Sequence, residues 1–180
     1  KTLLATFPSS PLSFVHGIKN LFTSKLWIRE LISKEVGVNH DKILFSEHHL
    51  SHAASAFFCS PFEKAAILTV DGVGEWATTA IGIGEGSKIK ILREIHFPHS
   101  LGLLYSAFTA FLGFEINEGE YKVMGMAPYG KPKYVEKVKK LIGFFDDNSY
   151  WLDLDYFSFY RSDKNTFSKK FIELFGQPRD

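Results

Sequence analysis

Cysteine is nearly absent. Cys59 is the only one in 180 residues, which excludes an internal disulfide framework and fits a reducing, cytoplasmic compartment. No apolar run is long enough to cross a bilayer and no signal-peptide pattern opens the chain, so no membrane partner is expected. An excess of one charge sign is lacking as well. Lys and Arg number 21 against 20 Asp and Glu, a formal net charge of +1. A dedicated nucleic-acid binder would carry a basic excess or a Lys/Arg stripe, and neither is present. Internal repeats and low-complexity tracts are also missing. What is abundant is phenylalanine, with 18 residues. That count supplies either a dense aromatic core or surfaces that other parts of a longer protein cover. The opening Lys1-Thr2 and the closing Gln177-Pro178-Arg179-Asp180 read as the ends of a piece of a larger protein.

Pro8-Ser9-Ser10-Pro11 is a breaker, after which residues 14–36 carry helical periodicity that Gly37 stops. The pattern predicts a short strand over 42–46 and a helix over 48–60 closed by Pro61. The continuous apolar run 65–70 suits a strand buried on both faces. Asp71-Gly72-Val73-Gly74 reads as a tight turn, followed by strands over 75–83 and 88–97 joined through Gly84-Glu85-Gly86. A helix over 100–112, a glycine-punctuated segment over 113–130 and a basic helix over 134–142 come next. A strand over 150–157 and a helix over 167–175 close the chain, and this last part carries no motif. The alternation predicts an α/β layered domain. The sheet is expected to be mixed, because the meander strands are joined by loops too short for parallel crossovers.

The chemistry concentrates in Glu47-His48-His49-Leu50-Ser51-His52-Ala53-Ala54-Ser55-Ala56-Phe57-Phe58-Cys59. Leu50, Ala53, Ala54, Phe57 and Phe58 follow the stripe of a core-facing helix. At about 100° per residue, His48 and His52 fall within ~40° of each other on the opposite side, and His49 is turned away from both. Two imidazoles one turn apart can share a metal ion, or stand as two solvated residues on an amphipathic surface. The zinc-protease form of this spacing needs Glu directly after the first His, and His49 stands there instead. Cys59 lies about 10 Å further along the helix axis, too far to join the same ion.

Asp71 ends a strand and precedes Gly72 and Gly74, which let backbone amides approach an anion closely. An Asp at the carboxyl end of a central strand sits where open α/β sheets place ligands. It can bind a metal or hold a metal-bound water; Asp-Gly is equally the commonest hairpin signal. Ser100 is an expected N-cap, and a helix start of this kind caps itself or receives phosphate. Lys122 lies in Glu118-Gly119-Glu120-Tyr121-Lys122-Val123-Met124-Gly125-Met126-Ala127-Pro128-Tyr129-Gly130. That loop lacks the Gly-Lys-Ser/Thr ending of a Walker motif. Its lysine suits either a phosphate or the surface.

Four of these motifs occur in order: residues 47–56, Val70-Asp71-Gly72-Val73-Gly74-Glu75, residues 98–114, and residues 119–130. Together they resemble the O-carbamoyltransferases of the nodulation and antibiotic-tailoring type, over roughly residues 42–133. The resemblance implies an actin-like ATPase fold (ribonuclease H-like), here an incomplete part of the domain, related to the proteins that make threonylcarbamoyladenosine on tRNA. It implies an ATP-dependent reaction in which carbamoyl phosphate forms carbamoyl adenylate, and the carbamoyl group then passes to a hydroxyl of a sugar or another small molecule. It implies a divalent iron- or zinc-like metal with His48, His52 and Asp71 as ligands. A further acidic ligand, the adenylate-forming domain and the opening strand meander are expected in remaining domains of the parent. Gly72, Gly74 and Gly102 would bring amides to phosphate, Lys122 would contact one, and His49 would orient the acceptor or act as its base. Two other readings stay open. One is an actin-like sugar or acyl kinase, which would use Mg²⁺ held by carboxylates and have no need of paired histidines. The other is a non-catalytic nucleotide-binding module.

Overall fold

The computed structural model describes residues 11–23, 25–147, 149–162 and 164–179. The breaker at Pro8-Ser9-Ser10 lies outside them. The chain enters through helix α1 (Pro11–Thr23), a 3₁₀ turn (Lys25–Trp27) and helix α2 (Ile28–Val36). The periodicity expected as one helix is thus divided in two at the 3₁₀ turn, where the Trp27 indole N–H donates to the Phe22 carbonyl. Gly37 stops α2 at φ +72° with its N–H on the Ser33 carbonyl, a left-handed cap open to glycine without strain. Among residues 14–23 and 25–42, none is buried.

No strand forms over 42–46. A 3₁₀ turn (His40–Lys42) leads instead into irregular chain. Helix α3 (His48–Phe57) follows, and then the meander β1 (Lys64–Gly74), β2 (Ala77–Glu85) and β3 (Lys88–His96). Its spatial order is β1-β2-β3 and both pairings are antiparallel. The second sheet, β4 (Ile142–Phe144) with β5 (Tyr150–Leu152), is antiparallel too. The class is α/β as expected, but the sheets among the described residues are antiparallel rather than mixed, since every strand pair is joined by a short connection.

The run 65–70 is not buried on both faces. Ile67 and Thr69 are buried, whereas Leu68 and Val70 are exposed, because α3 covers one face only. β1 also continues through Asp71 to Gly74, with its register broken between Val70 and Gly74. The hairpin turn is therefore Glu75-Trp76, with Glu75 in the left-handed region at φ +63°.

Helix α4 (Leu101–Phe111) starts where Ser100 predicts: the hydroxyl accepts the Leu103 N–H at 3.0 Å. Beyond it come α5 (Glu120–Met126), α6 (Val135–Lys139) and α7 (Lys169–Phe175). Strand β5 is shorter than expected and gives way to a 3₁₀ turn (Leu154–Tyr156), while β4 had no sequence signal. Two cores result. A small one joins Ala53 and Phe57 of α3 to Ile67 of β1. A larger one collects Leu104, Ala107, Leu141, Leu152, Phe157 and Phe171, with Phe108, Phe111, Phe167 and Phe175 packed around them. Part of the phenylalanine excess fills this second core, while Phe22, Phe45, Phe58, Phe62, Phe144 and Phe145 stay exposed.

Candidate metal centre

Helix α3 begins at His48 and lies against β1 and β2. Its buried residues are His49, Ala53 and Phe57, one stripe at i, i+4, i+8. Phe58, expected on the core side, is exposed. The helix is therefore rotated from the expected orientation, and this puts His49 against the sheet. His48 and His52 are raised toward the end of β1, where Asp71 stands.

The three side chains converge. His48 Nε2 hydrogen-bonds Asp71 Oδ2, His52 Nε2 lies 2.9 Å from His48 Nε2, and His52 Nε2 lies 3.5 Å from Asp71 Oδ2. The two imidazole rings meet edge to face with centroids 4.5 Å apart. Among the described residues this is the only group of three or more His, Cys, Asp or Glu side chains whose ligand atoms can meet at one ion. Cys59 is exposed and outside it.

The carboxylate is prepared from behind. Its Oδ1 accepts the Gly72 N–H at 2.6 Å, which leaves Oδ2 for the imidazoles. Burial by itself would push the Asp71 carboxyl up. The His48 hydrogen bond, the Gly72 amide and the charges of His48 and His52 outweigh it and hold the group below the usual carboxylate value.

The donor set fits a borderline divalent ion. Ligand nitrogens and oxygens about 2.0–2.2 Å from a tetrahedral ion stand roughly 3.3–3.5 Å from one another. The His52–Asp71 separation is already in that range and the two Nε2 atoms need to part by a few tenths of an ångström, whereas His48 Nε2 and Asp71 Oδ2, now directly hydrogen-bonded, have to open furthest to admit an ion. Two imidazoles and one carboxylate are the ligand types of zinc and ferrous iron rather than of Mg²⁺. His48 and Asp71 are half-exposed and His52 is exposed, so the point the three share is open to solvent and to further ligands.

His49 lies beside the cluster, its ring centroid 5.6 Å from that of His48, and lines the adjoining cavity, but its ring nitrogens turn to the sheet. It is 3% exposed, with Nδ1 2.7 Å from the Thr69 hydroxyl and Nε2 3.0 Å from the Ala77 carbonyl. The carbonyl can only accept, so Nε2 carries the hydrogen and Nδ1 accepts from Thr69. Both ring nitrogens are thus engaged inside the protein, which removes the expected base or acceptor-orienting role. The base role was implied by the resemblance alone; spacing reads His49 as a packing or supporting residue rather than a ligand.

The glycines serve packing. A Cβ on Gly74 would strike the His48 ring, and one on Gly102 would come within 2.5 Å of the Asp71 and Gly72 backbone. The N–H of Gly72 is taken by Asp71 Oδ1. Of the three glycines expected to bring amides to phosphate, Gly72 has its N–H engaged within the chain, while at Gly74 and Gly102 the missing side chain is also what admits the neighbouring groups. Lys122 is on the exposed side of α5, its Nζ 5.9 Å from the centre of the Phe114 ring. Sequence reasoning missed Thr69, whose hydroxyl inside an apolar strand was the available signal. It also missed the second function of Ser100, whose hydroxyl donates to the Gly72 carbonyl at 2.6 Å with the Asp71 carbonyl at 3.1 Å.

A cavity of about 330 Å³ adjoins the cluster, lined by His48 and Gly74 together with Glu47, Glu75, Trp76 and Glu94. Trp76 stacks on His96 at 4.0 Å, and His96 pairs with Glu94 at 3.1 Å.

Residues 5–180 match the family described as carbamoyltransferase N-terminus, and the chain belongs to that family. It is 48% identical, over 99% of its length, to an uncharacterized protein of Synechocystis sp., of which it covers 30%. It is 41% identical to nodulation protein NolNO of Sinorhizobium fredii, over 73% of this chain and 20% of that one. With nodulation protein NolO of Bradyrhizobium diazoefficiens the identity is 38%, over 60% of this chain and 20% of the other. The chain thus spans less than a third of the length of these curated relatives. No helix among the described residues is long and apolar enough to cross a membrane.

Proposed function

We propose that the chain is the metal-binding part of an ATP-dependent O-carbamoyltransferase. In this reading it belongs to an actin-like ATPase domain, and carbamoyl phosphate supplies the group through carbamoyl adenylate to a hydroxyl of a sugar or other small molecule. The observation that carries the proposal is the meeting of His48, His52 and Asp71 beside a cavity, in a chain of the carbamoyltransferase N-terminus family. A paired-histidine site argues for this chemistry over Mg²⁺-dependent phosphoryl transfer, which is served by oxygen ligands.

His48 and His52 present Nε2 to one point, and Asp71 presents Oδ2 to the same point while Gly72 holds its other oxygen. An iron- or zinc-like ion held there supplies Lewis-acid stabilisation of negative charge on phosphate and carbamoyl oxygens. The three donors stand on a helix start and on the strand it packs against, so the fold holds them together, and taking up an ion requires the His48–Asp71 hydrogen bond to open. Glu47, next to His48 on the cavity wall, is a carboxylate acceptor for the proton that an attacking hydroxyl gives up.

The test is turnover by the full-length parent with ATP, carbamoyl phosphate and a panel of hydroxyl acceptors. The His52→Ala, Asp71→Ala double variant is expected to lose bound metal and at least about 100-fold in rate, since even groups that only support a ligand contribute 10–100-fold. Wild-type turnover in that variant refutes the site, and release of ADP with a phosphorylated acceptor establishes the kinase reading instead.

A further inference from the structure

We propose that His49 is a positioning residue, which sets the rotation and height of α3 on the sheet and thereby aims His48 and His52 at Asp71. The inference rests on the metal-site reading above and goes beyond it, because both nitrogens of His49 are turned away from the donor cluster, onto Thr69 and Ala77.

The two hydrogen bonds of His49 land on different strands. Thr69, on β1, is two residues before Asp71 and points to the same side of the strand. Ala77, on β2, is the cross-strand partner of Gly74, the glycine whose missing side chain admits the His48 ring. One imidazole thus ties the first turn of α3 to the strand that carries Asp71 and to the strand beside the seat of His48. The remaining buried residues of the helix, Ala53 and Phe57, are apolar. Phe57 seats against Gly84 at the far end of the helix, while apolar contacts are non-directional and allow the first turn to roll. Two hydrogen bonds at fixed angles on adjacent strands do not.

The tolerance of a metal site makes that difference matter. A side-chain atom about 6 Å from a helix axis moves ~1 Å for a 10° roll. Ligand distances, by contrast, must hold to within about 0.2 Å. A buried polar ring is also costly unless both nitrogens are satisfied, so packing alone does not account for a histidine at this position. A leucine would fill the stripe of Ala53 and Phe57 without that cost.

The test is Co²⁺ binding to the full-length parent, read by chelator competition and by the visible absorption bands of the bound ion. The thermal midpoint without metal is measured in parallel. Thr69→Val removes the donor to Nδ1 at nearly constant volume, and Thr69→Ser restores it. The expected result for Thr69→Val is Co²⁺ binding weaker by 10–100-fold with altered absorption bands, and for Thr69→Ser an affinity within about threefold of wild type. Wild-type affinity and bands in Thr69→Val, or a loss in Thr69→Ser as large as in Thr69→Val, overturn the proposal. If Thr69→Val does not fold, His49→Gln carries the comparison, since it keeps a donor and an acceptor but on a freely turning stem. Weakened binding supports the positioning role and wild-type binding overturns it. A wild-type parent that binds no Co²⁺ sinks the metal site itself, and that outcome is distinct from a wild type that binds and a Thr69→Val variant that binds equally.

Discussion

Gly74 and Gly102 are both needed for close approach, but what each approaches differs. At Gly74 an added methyl meets an imidazole, the far end of a side chain that can swing. At Gly102 it meets the backbone of Asp71 and Gly72 at 2.5 Å, which cannot yield without moving the start of α4. Gly74→Ala is therefore expected to weaken metal binding with little change in thermal midpoint, because it displaces the His48 ring. Gly102→Ala is expected to cost about 1–3 kcal/mol of stability, the range for forced overpacking. Gly125, on α5, is the control, because a methyl added there meets nothing within 4 Å. Gly125→Ala is expected to raise stability by about 0.5–1 kcal/mol. Thermal melts of the three variants with a Co²⁺ titration of each decide the matter. If Gly74→Ala binds as wild type, His48 does not occupy the ligand position assigned to it.

At the scale of elements, the link between the meander and α4 carries a pH-sensitive joint. His99 Nδ1 accepts the Leu152 N–H of β5 at 3.1 Å, and its carbonyl accepts the Thr78 hydroxyl at 2.5 Å. Burial lowers the His99 pKa from the ordinary value near 6.5. The unfolded chain therefore takes up a proton at a higher pH than the folded one, so stability is full above about 6.5 and falls as the pH drops below it. Protonation of Nδ1 also removes the acceptor that Leu152 uses. His99→Asn keeps an acceptor near that position and is expected to flatten the loss between about pH 6.5 and 5. Melting the two proteins across that range checks it, and an unchanged slope in the variant excludes His99 as the source. Asp71, whose pKa is also lowered, acts in the separate, more acid window of the carboxylates. The local features among these elements were legible in the sequence: the i, i+4 histidine pair, the Ser100 cap and the Gly37 stop each depend on a few neighbouring residues. The orientation of α3 was not, because Phe57 and Phe58 are equally apolar, and the contacts that distinguish them, Phe57 seated at Gly84 and His49 bonded to Thr69 and Ala77, are distant in sequence. The extension of β1 past Asp71 was hidden for the same reason: Asp-Gly signals a turn, and pairing of Gly74 with Ala77 overrode it.

In the molecule as a whole, α4 belongs to both halves. Its first turn is sewn to β1 by Ser100 and packed there by Gly102, and its last turns place Phe108 and Phe111 against Phe171 at centroid distances of 5.0 and 5.3 Å. This larger core draws on residues from 101 to 175, which is why the last forty residues carried no readable motif: their partners are distant in sequence. Phe171 is fully buried, and Phe171→Ala is expected to cost about 3–5 kcal/mol. Whether that loss reaches the candidate metal site depends on how far the helix transmits it. Phe108 lies eight residues beyond Ser100, roughly 12 Å along the axis, and the hydroxyl clamp on Gly72 holds the near end without help from the aromatic rings. The chain is therefore expected to melt lower in Phe171→Ala yet to gain the same rise in midpoint on adding saturating Co²⁺, since that rise reports only the affinity of the folded site. A smaller rise in the variant would mean that the aromatic core, acting through α4, sets the position of Asp71, and that the two cores are one mechanical unit.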